Sequence, residues 1–392
     1  MLHKVLSGRE FNEQYKDCEF YKLLYGDLQH HGYTYVNGLN VDTNEFNPSG
    51  ECSKGGLYFT EKNNIPFWIN NGMYVFITKC SIPNDAKIYV ENNKFKSDKI
   101  IVDINNKVEI WNSHIWNDEN FCKIAVQQNG CLLKYVKEQN EEICKLAVQQ
   151  KYYNIQQKCY VVQQNSCVFK YVKEQTEELC KFVVQKDGSM LQYVKEQTDE
   201  ICKLAVQNDG HALQYVKEQT DEICKLAVQQ NGYALQYVKE QTDEICKLAI
   251  QQNSHSLRFV KEQTDEICKM AVDKNCHVLE YVENQTDEIC KLAIQKDGFA
   301  LKHAKKQNDE ICKLAVQQCG RALKYVKEKT NEICKLAIQN DGHALQYVEK
   351  QTEELCIMAF QQNKNTIKII DENMLQMFLT KYINSLNIDL IN

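Results

Sequence analysis

Proline is almost missing from this chain: Pro48, Pro66 and Pro83 are the three among 392 residues. Tryptophan is confined in the same way, to Trp68, Trp111 and Trp116. A proline-free stretch can carry helices without a break, and the change in composition marks a boundary near residues 105 to 117. No run of about eighteen apolar residues occurs, which argues against a membrane-spanning helix. The opening MLHKVLSGREF lacks the apolar centre of a secretion signal, so an intracellular protein is expected.

Two further absences concern metals and nucleic acids. The 19 cysteines include no C-x₂-C pair, and no H-x₃-H pair accompanies them, so no zinc site is expected. Cys180, Cys202, Cys224, Cys246, Cys268, Cys290, Cys312, Cys334 and Cys356 instead recur every 22 residues. Equivalent positions on stacked helices lie roughly 8–10 Å apart, beyond disulfide reach, so these read as reduced core thiols. Lys and Arg total 47 against 53 Asp and Glu, a net charge of −6, with no stripe of unpaired basic residues to follow a phosphate backbone.

What the sequence has in excess is one phrase. TDEICKLAVQQNGYALQYVKEQ, residues 220–241, is preceded and followed by near copies of itself. Numbered from its regular cysteine, the unit begins in full at 122, 158, 180, 202, 224, 246, 268, 290, 312 and 334, with a shortened unit at 144–157 and a half unit from 356. A fixed period marks an array in which each unit buries its apolar face on the next, because one such unit is too small to fold alone.

The nineteenth position is Thr in eight full units and Asn in two, both good helix N-caps. In the quoted copy a first helix is expected from Asp221 to Gln230, closed by Asn231-Gly232 with the glycine left-handed, and a second from Tyr233 to Gln241. The alternative is one unbroken helix, since 22 is twice eleven and the apolar positions would also share a broad face. That rod would bind a lipid surface or form a coiled coil. Glycine inside a helix costs about 1 kcal/mol relative to alanine, and it recurs at the ninth position in seven units, which favours paired helices.

Asp221 and Glu222 stand four and three residues before Lys225, so the outer face of the first helix is expected to neutralise itself. Among copies that barely vary, the tenth position does: Ser189, His211, Tyr233, His255, His277, Phe299, Arg321 and His343. These side chains are expected along one edge of the array, where repeat proteins present a contact surface for a protein partner. The four histidines suggest no metal, since neighbouring units are expected roughly 10 Å apart. The aromatic fourteenth position reads as a packing ladder.

Before residue 117 the grammar differs. Short β-rich runs such as GGLYFT and MYVFITKCSIP are separated by turn residues, and FNEQYKDCEFYKLLYGDLQHH reads as helix. The stretches HHGYTYVNGLNVDTNEFNPSGECSKGGLYFTE and YVFITKCSIPNDAKIYVENNKFKSDKIIV resemble the leading domain of uncharacterised mimivirus-type giant-virus proteins, and the array resembles their short helical repeats of unknown function. That resemblance implies expression in the cytoplasm of an infected cell and a repeat scaffold with host or viral protein partners. His31-Gly32, Gly38-Leu39 and Gly55 to Phe59 are also similar in order to elements of His-Tyr-Glu ADP-ribosyltransferases. This similarity implies NAD-binding roles for His31, Gly32 and Tyr58, with Glu109 as the third catalytic group.

The expected architecture is multidomain: a small α+β domain over 1–117, an all-α solenoid of about 22-residue helical-hairpin repeats over 118–363, and a helical cap over 364–392. The expected function is a non-enzymatic protein-interaction scaffold with no cofactor, no nucleic acid and no membrane.

Overall fold

A computed structural model describes residues 4–30, 32–49, 54–69, 73–149 and 168–380, with the backbone of 153–154 and 159–160. It has a small α+β domain followed by an all-α solenoid of 22-residue repeats. The described residues divide into two compact units, Met1–Val183 with Tyr193–Lys195, and Val184–Gln192 with Glu196–Asn392.

In the first unit the chain forms β1 (Lys4–Ser7), α1 (Gly8–Gln14), β2 (Phe20–Leu24), β3 (Gln29–His30), β4 (Tyr33–Thr34), β5 (Gly38–Val41) and β6 (Leu57–Glu61). Then come α2 (Pro66–Ile69), β7 (Phe76–Ser81), β8 (Lys87–Val90), β9 (Phe95–Ser97), β10 (Lys99–Val102) and β11 (Val108–Glu109). One sheet runs β1-β8-β9-β6-β2-β7-β10-β5, with β11 on β7, and β3 pairs with β4 as a separate hairpin. Ser7 starts α1 through a capping box with Glu10.

The helix expected to continue through Phe20–Leu24 is instead a central strand between β6 and β7. Residues 21 to 24 are buried without alternation, which is what a strand covered on both faces requires, and such a run is easily taken for helix. The sheet closes on Phe11, Phe20, Phe59 and Phe95, whose rings meet mostly edge to face at 5.0–5.8 Å.

The repeat is clearest in the second unit. Thr220 Oγ1 accepts from Ile223 N, and the helix Asp221–Gln230 follows. It ends at Asn231, whose extended backbone (φ −148°) and side chain, accepting from Tyr233 N, open a 3-10 helix at Gly232–Tyr237. The break recurs at Asp209 and Asp297, so an unbroken helix is excluded, and with it the lipid-binding rod. The second element is shorter than expected and is a 3-10 helix.

The reason for glycine also differs from expectation. Among the described residues, positive φ occurs at Leu28, Gly32, Gly38, Gly55 and Gly56, none of them in the array. Gly232 is required by proximity: a Cβ there would stand 2.5 Å from Ala249 O in the next unit. Ile223, Cys224, Ala227, Val228, Ala234, Leu235 and Val238 form the buried face of the copy, each 0–4% exposed. The described cysteines are free thiols. Burial pushes Cys224 up to about 11, away from reactive thiolate.

Two unit boundaries need correction. Gln175 reaches Tyr193 O across 18 residues, whereas Gln139 reaches Tyr171 O across 32, fourteen more. Gly130 likewise abuts Ala147 O, as Gly232 abuts Ala249 O. The helix Glu141–Gln149 and the turn after Val168 therefore complete one unit, split by an insertion of fourteen residues. Of the first helix expected for a separate unit at 158, the described part, Cys159–Tyr160, is instead a short strand paired with Tyr153–Asn154, and the rest lies outside the described residues. At the other end, the half unit from 356 is complete: Asn363 caps a 3-10 helix at Lys364–Ile369, and Glu372–Phe378 follows as helix. Part of the expected cap, residues 381–392, lies outside the described residues.

Candidate functional site

The array edge is built by contacts between copies. Four tenth-position side chains meet the fourteenth-position ring of the next unit: His211 on Tyr237, Tyr233 on Phe259, His255 on Tyr281 and Phe299 on Tyr325, all edge to face at 5.9–6.1 Å. His277 meets His303 in the same way at 6.0 Å. Ser189 Oγ donates to Asp187 at 2.6 Å, Arg321 Nε to Asp341 at 2.7 Å, and His343 Nδ1 lies 3.2 Å from Asp341. The eight variable residues thus recur at one register position beside a ladder of rings. His277, Phe299 and Arg321 are exposed and the other five half-buried.

Neighbouring units approach more closely here than a helix-to-helix distance suggests. Asn231 Nδ2 is 3.2 Å from His211 Nδ1, and His277 Nε2 is 3.6 Å from Asp297 Oδ2. Side chains from two units do share ligand-scale distances, because the tenth position of one copy faces the eighth of the next.

A glutamine at the eighteenth position holds this edge in register. Gln219 Nε2 donates to Leu213 O at 3.4 Å and to Tyr237 O at 2.9 Å, while its Oε1 accepts from Lys239 N at 3.0 Å. The arrangement recurs at Gln197, Gln241, Gln263, Gln285, Gln307 and Gln351. Lys329 takes the place in one copy and pairs with Glu349 at 3.0 Å instead. The signal was available, since the position scarcely varies, but a polar residue before a Thr cap reads as solvated surface.

The helix face is neutralised across units as well as within them. Lys225 pairs with Asp221 at 2.8 Å and with Glu244 of the next copy at 2.6 Å, while Glu222 pairs with Lys203 of the preceding one. The expected pairing of Glu222 with Lys225 is thus replaced by a link between helices.

The α+β domain holds a separate cavity of about 240 Å³, with Lys22, His30, Tyr58, Trp68, Tyr74 and Lys94 among its walls. Lys22, 2% exposed, donates through Nζ to Tyr58 O at 2.7 Å and lies 3.4 Å from His30 Nδ1. Burial draws its ammonium down to about 7. Tyr25 and Tyr74 stack at 4.9 Å along one side, and Lys94 Nζ lies 4.7 Å from the centre of the Tyr58 ring.

The groups of the transferase resemblance are only partly assembled. Tyr58 lines this cavity beside His30 at 6.3 Å, and His31 lies outside the described residues. Gly32 (φ 80°) borders a second hollow with His30 and Asp42. Glu109 is exposed on β11, accepts from Asn112 Nδ2 at 2.7 Å, and is not among the residues lining either space.

Residues 176–219, 198–242, 220–264, 286–329 and 331–375 each match a family model described as Domain of unknown function (DUF4116). This is a repeat protein with giant-virus relatives. Ankyrin repeat protein R868 of Acanthamoeba polyphaga mimivirus is 28% identical over 149 residues, covering 36% of this chain and 73% of that relative. Ankyrin repeat protein R229 of the same virus is 40% identical over 57 residues, 14% of this chain and 18% of the relative. No solved structure matches. Among the described residues, no helix is long and apolar enough to cross a membrane.

Proposed function

We propose that the array is a protein-interaction scaffold of a viral protein, and that Ser189, His211, Tyr233, His255, His277, Phe299, Arg321 and His343 are its contact residues. The observation that carries this reading is contrast within one chain. Capping Thr, core Ile-Cys-x-x-Ala and bridging Gln are repeated almost unchanged, whereas the tenth position changes chemistry from copy to copy along one edge. A position under a packing constraint alone would keep one ring type against the fourteenth-position aromatic; serine and arginine there change the chemistry of the edge. The likeness to viral ankyrin repeat proteins supports a binding role, and the partner is proposed to be a host or viral protein in the cytoplasm of an infected cell. Affinity purification from infected cells, comparing the natural chain with His211→Ala/Tyr233→Ala/His255→Ala, tests this. One enriched protein lost from the triple variant, with circular dichroism unchanged, is expected; equal recovery by both would refute it.

A second reading rests on the buried Lys22 beside His30 and Tyr58: the α+β domain binds a small ligand. The cavity of about 240 Å³ is below the roughly 300–1,000 Å³ of drug-sized pockets. A single planar ring fits this space better than a whole dinucleotide. An NAD-using transferase reading has Tyr58 and a histidine in place and lacks Glu109 from the cavity wall. Quenching of Trp68 fluorescence by nicotinamide, lost in Tyr58→Ala, supports ligand binding there; no response at millimolar concentration opposes it.

A further inference from the structure

One junction in the array combines three residues that its other junctions do not bring together. The ninth position, glycine in seven full units, is Cys276 in the unit that begins at Cys268. The tenth position there is His277. The eighth position of the following unit, which faces it, is Asp297, whereas His211, His255 and His343 face Asn231, Asn275 and Asn363. Sulfur, imidazole and carboxylate donors of these three residues lie within 4.8 Å of one another. Among the described residues, this is the group of three or more potential ligands that reaches such proximity.

We propose that Cys276, His277 and Asp297 bind one divalent cation of zinc type across the junction between two repeats. Zinc accepts this mixture of thiolate, imidazole and carboxylate, and its usual bonds of about 2.0–2.3 Å in a tetrahedron put donors roughly 3.3–3.8 Å apart. His277 Nε2 and Asp297 Oδ2 already stand at 3.6 Å. The thiol closes the remaining gap by side-chain rotation, loses its proton to solvent on binding, and water takes the fourth position.

The backbone favours this arrangement. His277 N donates to Asn275 Oδ1 at 3.0 Å, so the turn that presents Cys276 and His277 is fixed before any metal arrives. Beside it lies a surface groove of about 620 Å³, lined by Ser254 and Cys276, two ninth-position residues that carry a side chain where most copies have none. Lys296, the cation next to Asp297, is held by Asp273 at 2.9 Å. The ion would join two copies at the edge proposed for partner contact, but the metal site does not depend on that proposal.

The array supplies its own conservative controls. Cys276→Gly installs the residue found in seven units, and Asp297→Asn installs the asparagine that faces the other three histidines. Neither substitution introduces a group foreign to the fold. With the full chain held reduced, Co²⁺ is titrated while thiolate-to-cobalt absorption is followed, and Zn²⁺ is then added in competition. One cobalt per chain with thiolate absorption is expected, displaced by zinc, with affinity falling at least about tenfold in each variant. Absorption of equal strength and affinity in the natural chain and in both variants would assign the metal to other cysteines and overturn the proposal. Absence of cobalt or zinc binding to the natural chain at about 100 μM metal would overturn it as well.

Discussion

Replacing Gln219 by alanine probes the bridge between copies most directly. The substitution removes two donated bonds, to Leu213 O and Tyr237 O, and one accepted bond, from Lys239 N. Each is worth about 1 kcal/mol net, and alanine leaves the backbone groups facing a gap in a half-buried site, so a loss of about 2–4 kcal/mol is expected. The damage should be local. Stability in a linear array is a sum of unit terms and nearest-neighbour terms, so weakening one junction lowers cooperativity as well as midpoint. Urea unfolding followed by far-UV circular dichroism should show an earlier and broader transition, and native-state hydrogen exchange should show faster loss of the Lys239 amide proton. A reciprocal change exists in the same chain: Lys329→Gln restores the missing bridge and should stabilise by about 1 kcal/mol. If Gln219→Ala shifts stability by less than about 0.5 kcal/mol, the glutamines are surface residues and the reasoning fails.

Further expectations follow from burial and proximity. Gly232→Ala places a Cβ 2.5 Å from Ala249 O and 2.6 Å from Ser256 Oγ, so thermal unfolding should reveal a loss of about 1–3 kcal/mol from forced separation of two copies. Ser256 Oγ is buried with no hydrogen-bond partner, and Ser256→Ala, which installs the residue found at this position in the preceding copy, should raise stability by about 1 kcal/mol in chemical denaturation. Lys22 has its pKa lowered to about 7 by burial, so between pH 7 and 9 the unfolded chain holds the proton that the folded chain has released. Stability should therefore rise with pH in that window, by up to about 1.4 kcal/mol per pH unit, and Lys22→Met should flatten the slope. A slope unchanged in Lys22→Met would show that the lysine stays charged.

Local rules were readable in the letters. The 22-residue period, the Thr and Asn caps, the acids after them, the Ile-Cys and Ala-Val core pairs and the break at Asn-Gly each depend on a residue and its near neighbours, which is the range over which capping and periodicity act. The break was placed correctly but for the wrong cause, because an Asn-Gly pair reads as a left-handed closure until the Ala249 carbonyl of the next copy is seen to occupy the space of a Cβ. Phe20–Leu24 was misread for a related reason: a strand buried on both faces shows no alternation.

Contacts across about twenty residues were decided by tertiary structure alone. The reach of Gln219 to Tyr237, the pairing of Glu222 with Lys203, the approach of His277 to Asp297 and the split of one unit by fourteen residues all require two copies in fixed register. The sequence determined that copies must stack, since no copy can bury its own apolar face. Which polar groups meet when they do depends on the offset between helix and 3-10 helix, and that offset is set by packing distances which no single copy contains.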